Sequence, residues 1–261
     1  MNKNHEIDYK LHGEEMQCVE IELDPQEAVI AEPGSFMMMQ DGITMQTLFG
    51  DGNATGLMGK LFSAGKRLLT GENLFMTVYT NEASRRLSVS FAAPYSGKII
   101  PLQLDQLGGK MICQKDSFLC AAKGVSVGIE FQKKLGTGLF GGEGFIMQKL
   151  EGDGWAFVHS GGHVIEKELQ AGERLKVDTG CIVAFTRSVD YDIQFVGGIK
   201  NSLFGGEGLF YAVLTGPGKV WLQTLPISRL AGRILSYGST GGRKEEGSML
   251  GGLGNIFDGD G

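Results

Sequence analysis

Cationic residues, histidine, cysteine and proline are all scarce in this 261-residue chain, and each shortage removes a class of function. Lys and Arg number 24 against 30 Asp and Glu, a formal net charge of −6. A surface of that sign repels phosphate backbones and anionic headgroups unless its few cations cluster, so bulk electrostatics argue against nucleic acid as a partner. The four histidines are His5, His12, His159 and His163, two of them close to the N-terminus. That is little material for a metal centre of convergent imidazoles. Cys18, Cys113, Cys120 and Cys181 form no CxxC and no pair at zinc-ligand spacing. Three of them lie in apolar strand-like runs, where a thiol behaves as a small hydrophobe.

No apolar run reaches the ~18–20 residues of a membrane span. The start, MNKNHEIDYK, is too polar for a signal peptide. Free thiols without an export signal predict a reducing, cytoplasmic location. The phosphate-binding signatures GxGxxG and GxxxxGK[ST] are missing, as are GxSxG and HExxH. No catalytic residue, cofactor or metal ligand is predicted, and the chain reads as a non-enzyme.

What the chain has in quantity is glycine, 42 residues against 6 prolines. A glycine inside a helix weakens it by about 1 kcal/mol, whereas tight turns needing φ > 0 favour it. With 42% apolar and 21% charged residues the chain is globular, and the natural reading is all-β: short strands and many turns.

Three segments can be laid over one another. Leu139 to Gly144 (LFGGEG) repeats at Leu203 to Gly208, with a worn copy, LLTGEN, at Leu68 to Asn73. The glutamate keeps its place as Glu72, Glu143 and Glu207, and Asn73 replaces a glycine, as suits the commonest other visitor to the left-handed region. Upstream, Val19 to Leu23, Ile100 to Leu104 and Ile165 to Leu169 alternate as strands do. Downstream, turns near Thr80–Arg85, Glu151–Gly154 and Thr215–Gly218 lead into Leu87–Phe91, Trp155–His159 and Val220–Thr224, which is hairpin grammar.

The pattern predicts β repeats over 6–96 (with an insertion at about 50–66), 97–162 and 163–228. A C-terminal segment, 229–261, follows them. A unit of this size cannot bury its apolar face alone, so its neighbours must cover it, either around a pseudo-threefold axis or as small sandwiches sharing edges. Leftover edge strands predict a homo-oligomer, a trimer being favoured. Ile227, Leu230, Ile234 and Leu235 share one helical face, which predicts a short amphipathic helix before a Gly-rich flexible tail.

The LFGGEG motif, PYSGKIIPL at Pro94 to Leu102 and HSGGHV at His159 to Val164 resemble the bacterial family related to the altered-inheritance-of-mitochondria protein 24. The resemblance covers about residues 6–228. It implies three tandem β-sandwich units similar to the tryptophan RNA-binding attenuation protein, of double-stranded β-helix type. It implies no reaction, cofactor or catalytic residue. The mitochondrial relatives are linked to inner-membrane organisation, a role not carried over to a chain without their targeting extension. Likeness of fold to an RNA binder is analogy only.

Three candidate sites remain. Glu72, Glu143 and Glu207 would bind a cation if they formed a ring; the favoured reading is structural, each accepting N–H bonds from its own glycine turn. His159 and His163 have helical zinc-site spacing, but Ser160-Gly161-Gly162 between them predicts a turn with surface histidines. In the insertion, Leu57, Met58, Lys60, Leu61 and Phe62 mix apolar and basic side chains as a protein or membrane contact does; the alternative is a short helix packed on the sheet. Together these readings predict an oligomeric scaffold or interaction module, with a small-ligand or metal-binding protein as the alternative.

Overall fold

The computed structural model describes residues 4–49, 75–133, 145–195 and 210–238. An N-terminal strand, β1 (Asp8–His12), precedes three sets of six. The first set is β2 (Cys18–Leu23), β3 (Ala28–Ala31), β4 (Phe36–Met39), β5 (Ile43–Phe49), β6 (Phe75–Asn81) and β7 (Leu87–Ala92). The second is β8 (Gly97–Gln103), β9 (Lys110–Gln114), β10 (Phe118–Ala122), β11 (Ser126–Lys133), β12 (Phe145–Glu151) and β13 (Trp155–Gly161). The third is β14 (Val164–Leu169), β15 (Arg174–Asp178), β16 (Ile182–Thr186), β17 (Asp190–Phe195), β18 (Phe210–Thr215) and β19 (Gly218–Gln223). One helix, α1 (Ile227–Gly238), follows.

Pairing within a set follows one rule. The sixth strand lies between the first and third, and the fifth lies between the second and fourth, all antiparallel. The third strand always bulges against the sixth, between Phe36 and Met38, Phe118 and Cys120, and Ile182 and Ala184. A bulge places two residues opposite one and bends the strand, so its recurrence fixes the same bend three times.

Sets are joined by pairing the second strand of one with the third strand of the next. The β3·β10 pair aligns Ala31 with Cys120, and β9·β16 aligns Cys113 with Ala184. Each joint fuses two three-stranded halves into a six-stranded sheet, β5-β6-β3-β10-β13-β8 and β11-β12-β9-β16-β19-β14. Within the chain the units stand in series.

Burial follows from position. β2 alternates, with Val19, Ile21 and Leu23 inside, as a strand with one wet face must. β10 and β16, covered on both faces, are buried throughout and apolar almost throughout. One core gathers Ile21, Ile30, Phe91, Leu102 and Phe157, and a second gathers Phe145, Met147, Phe185 and Leu214. Each such side chain contributes about 1.5–3 kcal/mol by leaving water.

The second and third strands are linked by a Pro33-Gly34 turn in the first unit and by 3-10 turns, Lys115–Ser117 and Thr179–Cys181, in the others. Gly34 sits at φ 91°, a left-handed conformation that side-chain-bearing residues rarely adopt. α1 is tied to the third of these links, Arg229 Nη2 donating to Asp178 Oδ2 at 3.2 Å. Its apolar face is only partly covered, with Ile234 62% and Leu235 70% exposed.

Candidate functional site

The sequence-predicted contact residues Leu57, Met58, Lys60, Leu61 and Phe62, and the repeated glutamates Glu72, Glu143 and Glu207, all lie outside the described residues. Their segments join the fourth and fifth strands of each unit. The last described pairs before them are Phe49 with Phe75, Lys133 with Phe145, and Phe195 with Phe210, so all three depart from equivalent hairpin ends.

Two other places in the fold carry functional character. The first is the pair of unjoined edges. Among the described residues β4 pairs only with β7, and β15 only with β18. These are the third strand of the first unit and the second strand of the last, the same two positions that make both internal joints. All four residues of β4 are exposed, Met37 and Met38 at 53% each, whereas Cys120 and Ala184 at the place of Met38 are at 0%. Phe36 stacks on Tyr79 at 5.5 Å, and Tyr79 meets Phe91 edge-on at 5.1 Å, so the strand is anchored from beneath while its outer rim stays open.

The second place is a cavity of about 480 Å³ at the first joint. Glu32 to Ser35, Pro94, Tyr95, Asp116, Phe118 and His159 line it. His159 corrects the sequence expectation of a surface turn: it lies in β13, 2% exposed, its ring edge-on to Tyr95 with centroids 4.6 Å apart. His163, by contrast, is exposed. The turn begins later than the glycines suggest: Gly162, at φ 67°, bends the chain, while Gly161 still lies in β13 and serves close backbone approach. A Cβ on Gly97 would lie 1.7 Å from the Ser160 carbonyl oxygen, and one on Gly161 would lie 1.9 Å from that of Leu225.

The imidazole of His159 hydrogen-bonds the Tyr95 backbone, and its Nδ1 has no partner. Burial lowers its pKa to about 4 against the opposing pull of that bond, so the ring is neutral near pH 7 and Nδ1 is a bare acceptor. Glu32 is pushed up to about 8, first by burial, then by the like charge of Asp116, with Lys115 opposing. Burial, then Asp116 and Glu32, raises Tyr95 to about 12. Burial likewise raises the thiols of Cys113 and Cys120, which leaves both as inert core residues.

The second joint shows what the same position does when satisfied. The strand register places Gln223 where the first joint has His159, Gln114 where it has Glu32, and Gly180 where it has Asp116. Gln223 donates from Nε2 to the Gly180 carbonyl at 2.8 Å and accepts at Oε1 from the Gly161 N–H at 2.7 Å. At the first joint Pro94 stands in the place of Gly161 and has no N–H to give. No group of three His, Cys, Asp or Glu side chains is set to hold a metal among the described residues. No helix there is long and apolar enough to cross a membrane.

This architecture is shared. An uncharacterised protein of Streptococcus pyogenes serotype M6 is 30% identical over 222 residues, spanning 84% of this chain and 86% of that one. The crystal structure of a Streptococcus pyogenes protein superposes with a TM-score of 0.70 at 23% identity, covering 88% of this chain and 99% of that one, which establishes likeness of fold. The family model described as Mitochondrial biogenesis AIM24 matches residues 9–225. With nearly all of its β units inside that match, the chain belongs to the AIM24 family.

Proposed function

We propose that the chain is a non-enzymatic scaffold that assembles head to tail, β4 of one copy adding to β15 of the next. The observation that carries this reading is the exposed Phe36–Met39 strand at a position whose two counterparts are buried in inter-unit sheets. An unpaired, apolar strand edge is a template for another strand, and β4 carries neither the lysine nor the proline that would blunt it.

Applying the internal register to the open ends aligns Met38 with the partner's Val177 and Met39 with the partner's Lys176. Two steps further, exposed Asp41 faces exposed Arg174 of the next copy, an opposite-charge pair. A head-to-tail interface closes as a ring or runs on as a fibre, and a ring of three chains is the favoured assembly. Such an assembly displays the equivalent hairpin ends and the 50–66 insertion to a protein partner or a membrane surface.

Light scattering on the eluting protein tests the assembly: the mass is expected at three times the 28.1 kDa chain. Asp41→Arg should shift it toward the single chain, and adding Arg174→Asp should restore it. A wild type that elutes as one chain sinks the proposal, as does a mass indifferent to both changes. Deleting 50–66 should abolish co-sedimentation with liposomes if the insertion meets membrane; retained binding assigns that contact elsewhere.

A further inference from the structure

The cavity at the first joint differs from its counterpart in a consistent direction. Where the second joint has the non-titrating Gln114 and Gly180, it has the titratable carboxyl groups of Glu32 and Asp116. Where Gln223 both donates and accepts, His159 presents an acceptor with no donor, 98% buried as a residue and lacking the N–H that Pro94 cannot supply. The Ser35 hydroxyl on the wall is already spent: its Oγ donates to the Glu32 carbonyl at 2.7 Å. Among the described residues no hydrogen bond or ion pair reaches the Glu32 carboxylate. The result is a hollow rich in acceptors, in which burial and Asp116 keep the Glu32 carboxyl protonated near pH 7 against the pull of Lys115. Such groups are buried only at a cost of about 1–3 kcal/mol each when unmet. Elsewhere in the same molecule the position is fully met, so the deficiency belongs to this joint and not to the fold.

We propose that the first-joint cavity binds a small organic cation carrying N–H groups, a primary ammonium or a guanidinium. Its charge lies against Glu32, whose carboxyl releases its proton to solvent as the cation binds, with Asp116 adding to the field, and one N–H donates to His159 Nδ1. An N–H cation answers both deficits at once, which a neutral or anionic ligand would not. A quaternary ammonium has no proton for Nδ1. The remaining wall, Pro94, Phe118 and the Tyr95 ring, covers a short carbon chain, and the aromatic faces favour a neighbouring cation.

The test uses the full chain and does not depend on its assembly. Isothermal titration with n-butylammonium and n-butylguanidinium should give saturable one-to-one binding with a Kd of about 1 mM, the scale open to so few atoms. Butyrate and tetramethylammonium at equal ionic strength should give none. Glu32→Gln should weaken binding at least tenfold, and His159→Gln, which installs the residue of the second joint, should weaken it similarly. Circular dichroism and melting temperature report whether each variant folds; if His159→Gln does not, Asp116→Asn takes its place with a severalfold loss expected. Absence of saturable binding by both cations overturns the proposal. So does equal binding by butyrate, or affinity unchanged in folded Glu32→Gln protein.

Discussion

β10 and β4 are the same strand in two circumstances. Both are the third strand of their unit, both bulge against the sixth strand, and both have apolar sequences, FLCAA and FMMM. β10 lies between β13 and β3 and is buried from end to end; β4 has β7 on one side and no strand on the other among the described residues. The difference is therefore one of neighbours and not of intrinsic strand preference. Side-chain choice has followed the neighbours. The internal joint uses Cys120, Ala121 and Ala122, small residues that let its two three-stranded halves approach closely. The open edge uses Met37, Met38 and Met39, flexible side chains that adapt to a surface met later.

The sharpest way to break that comparison is to place one charge at each site. Ala121 is 0% exposed and stands between Ile30 and Ala156. Ala121→Asp buries a carboxylate without a partner and should remove on the order of 4 kcal/mol or more, much of a typical domain's stability. Met38→Asp should leave the single chain's denaturant midpoint within the spread of surface changes, about 0.5 kcal/mol, while lowering the assembled mass. Equal losses at the two positions would mean that the open edge is part of the chain's own core.

A smaller effect separates the two joints. Gln223→Ala strands the Gly161 N–H and the Gly180 carbonyl, both bonded by that side chain. Each buried group left unmet costs about 1–3 kcal/mol, so the second joint should soften by roughly that much in urea titrations. Loss of hydrogen-exchange protection should centre on Gly161 and spare β3 and β10.

The strand grammar was legible because alternation and turn chemistry are local. β2, β7, β14 and the hairpin β18–β19 lie where the apolar alternation and glycine turns predict them. β1 escaped the repeat reading although Ile7, Tyr9 and Leu11 alternate with Asp8 and Lys10, because it precedes the three sets of six and has no counterpart in them. It is held by pairing with β2, by Lys10 on Glu22 and His12 on Glu20, and by Tyr9 set edge-on to Trp155 at 5.0 Å and Phe157 at 4.9 Å. Those partners are far along the chain, where no periodicity reaches. The same holds for the joints. That Ala31 meets Cys120 is a fact of register between strands nearly ninety residues apart, and so the His159 cavity at that joint leaves no local mark. Its one trace in sequence is a proline, Pro94, where the next unit has Gly161.

The smallest expected effect is one of pH, and it isolates the first joint. Glu32 faces Asp116 and Lys115 from the second unit's 3-10 turn, with Tyr95 and His159 on the same cavity and Cys113 close behind. Burial, then Asp116, raises its pKa to about 8, whereas the unfolded chain titrates near the ordinary value of about 4.3. Between those values the folded protein holds a proton that the unfolded chain has released. Stability contributed by that proton is complete below about 4.3 and is lost as pH rises through 8. Glu32→Gln keeps the shape and removes the titration. Its melting temperature relative to wild type should therefore climb between pH 5 and pH 8.5, by a few degrees at most because the group is only partly buried. The matching change at the second joint, Gln114→Glu, should create a slope of the same sign where none exists. A wild-type minus Glu32→Gln difference that stays flat across that range would show that the two joints do not differ in charge as their side chains imply.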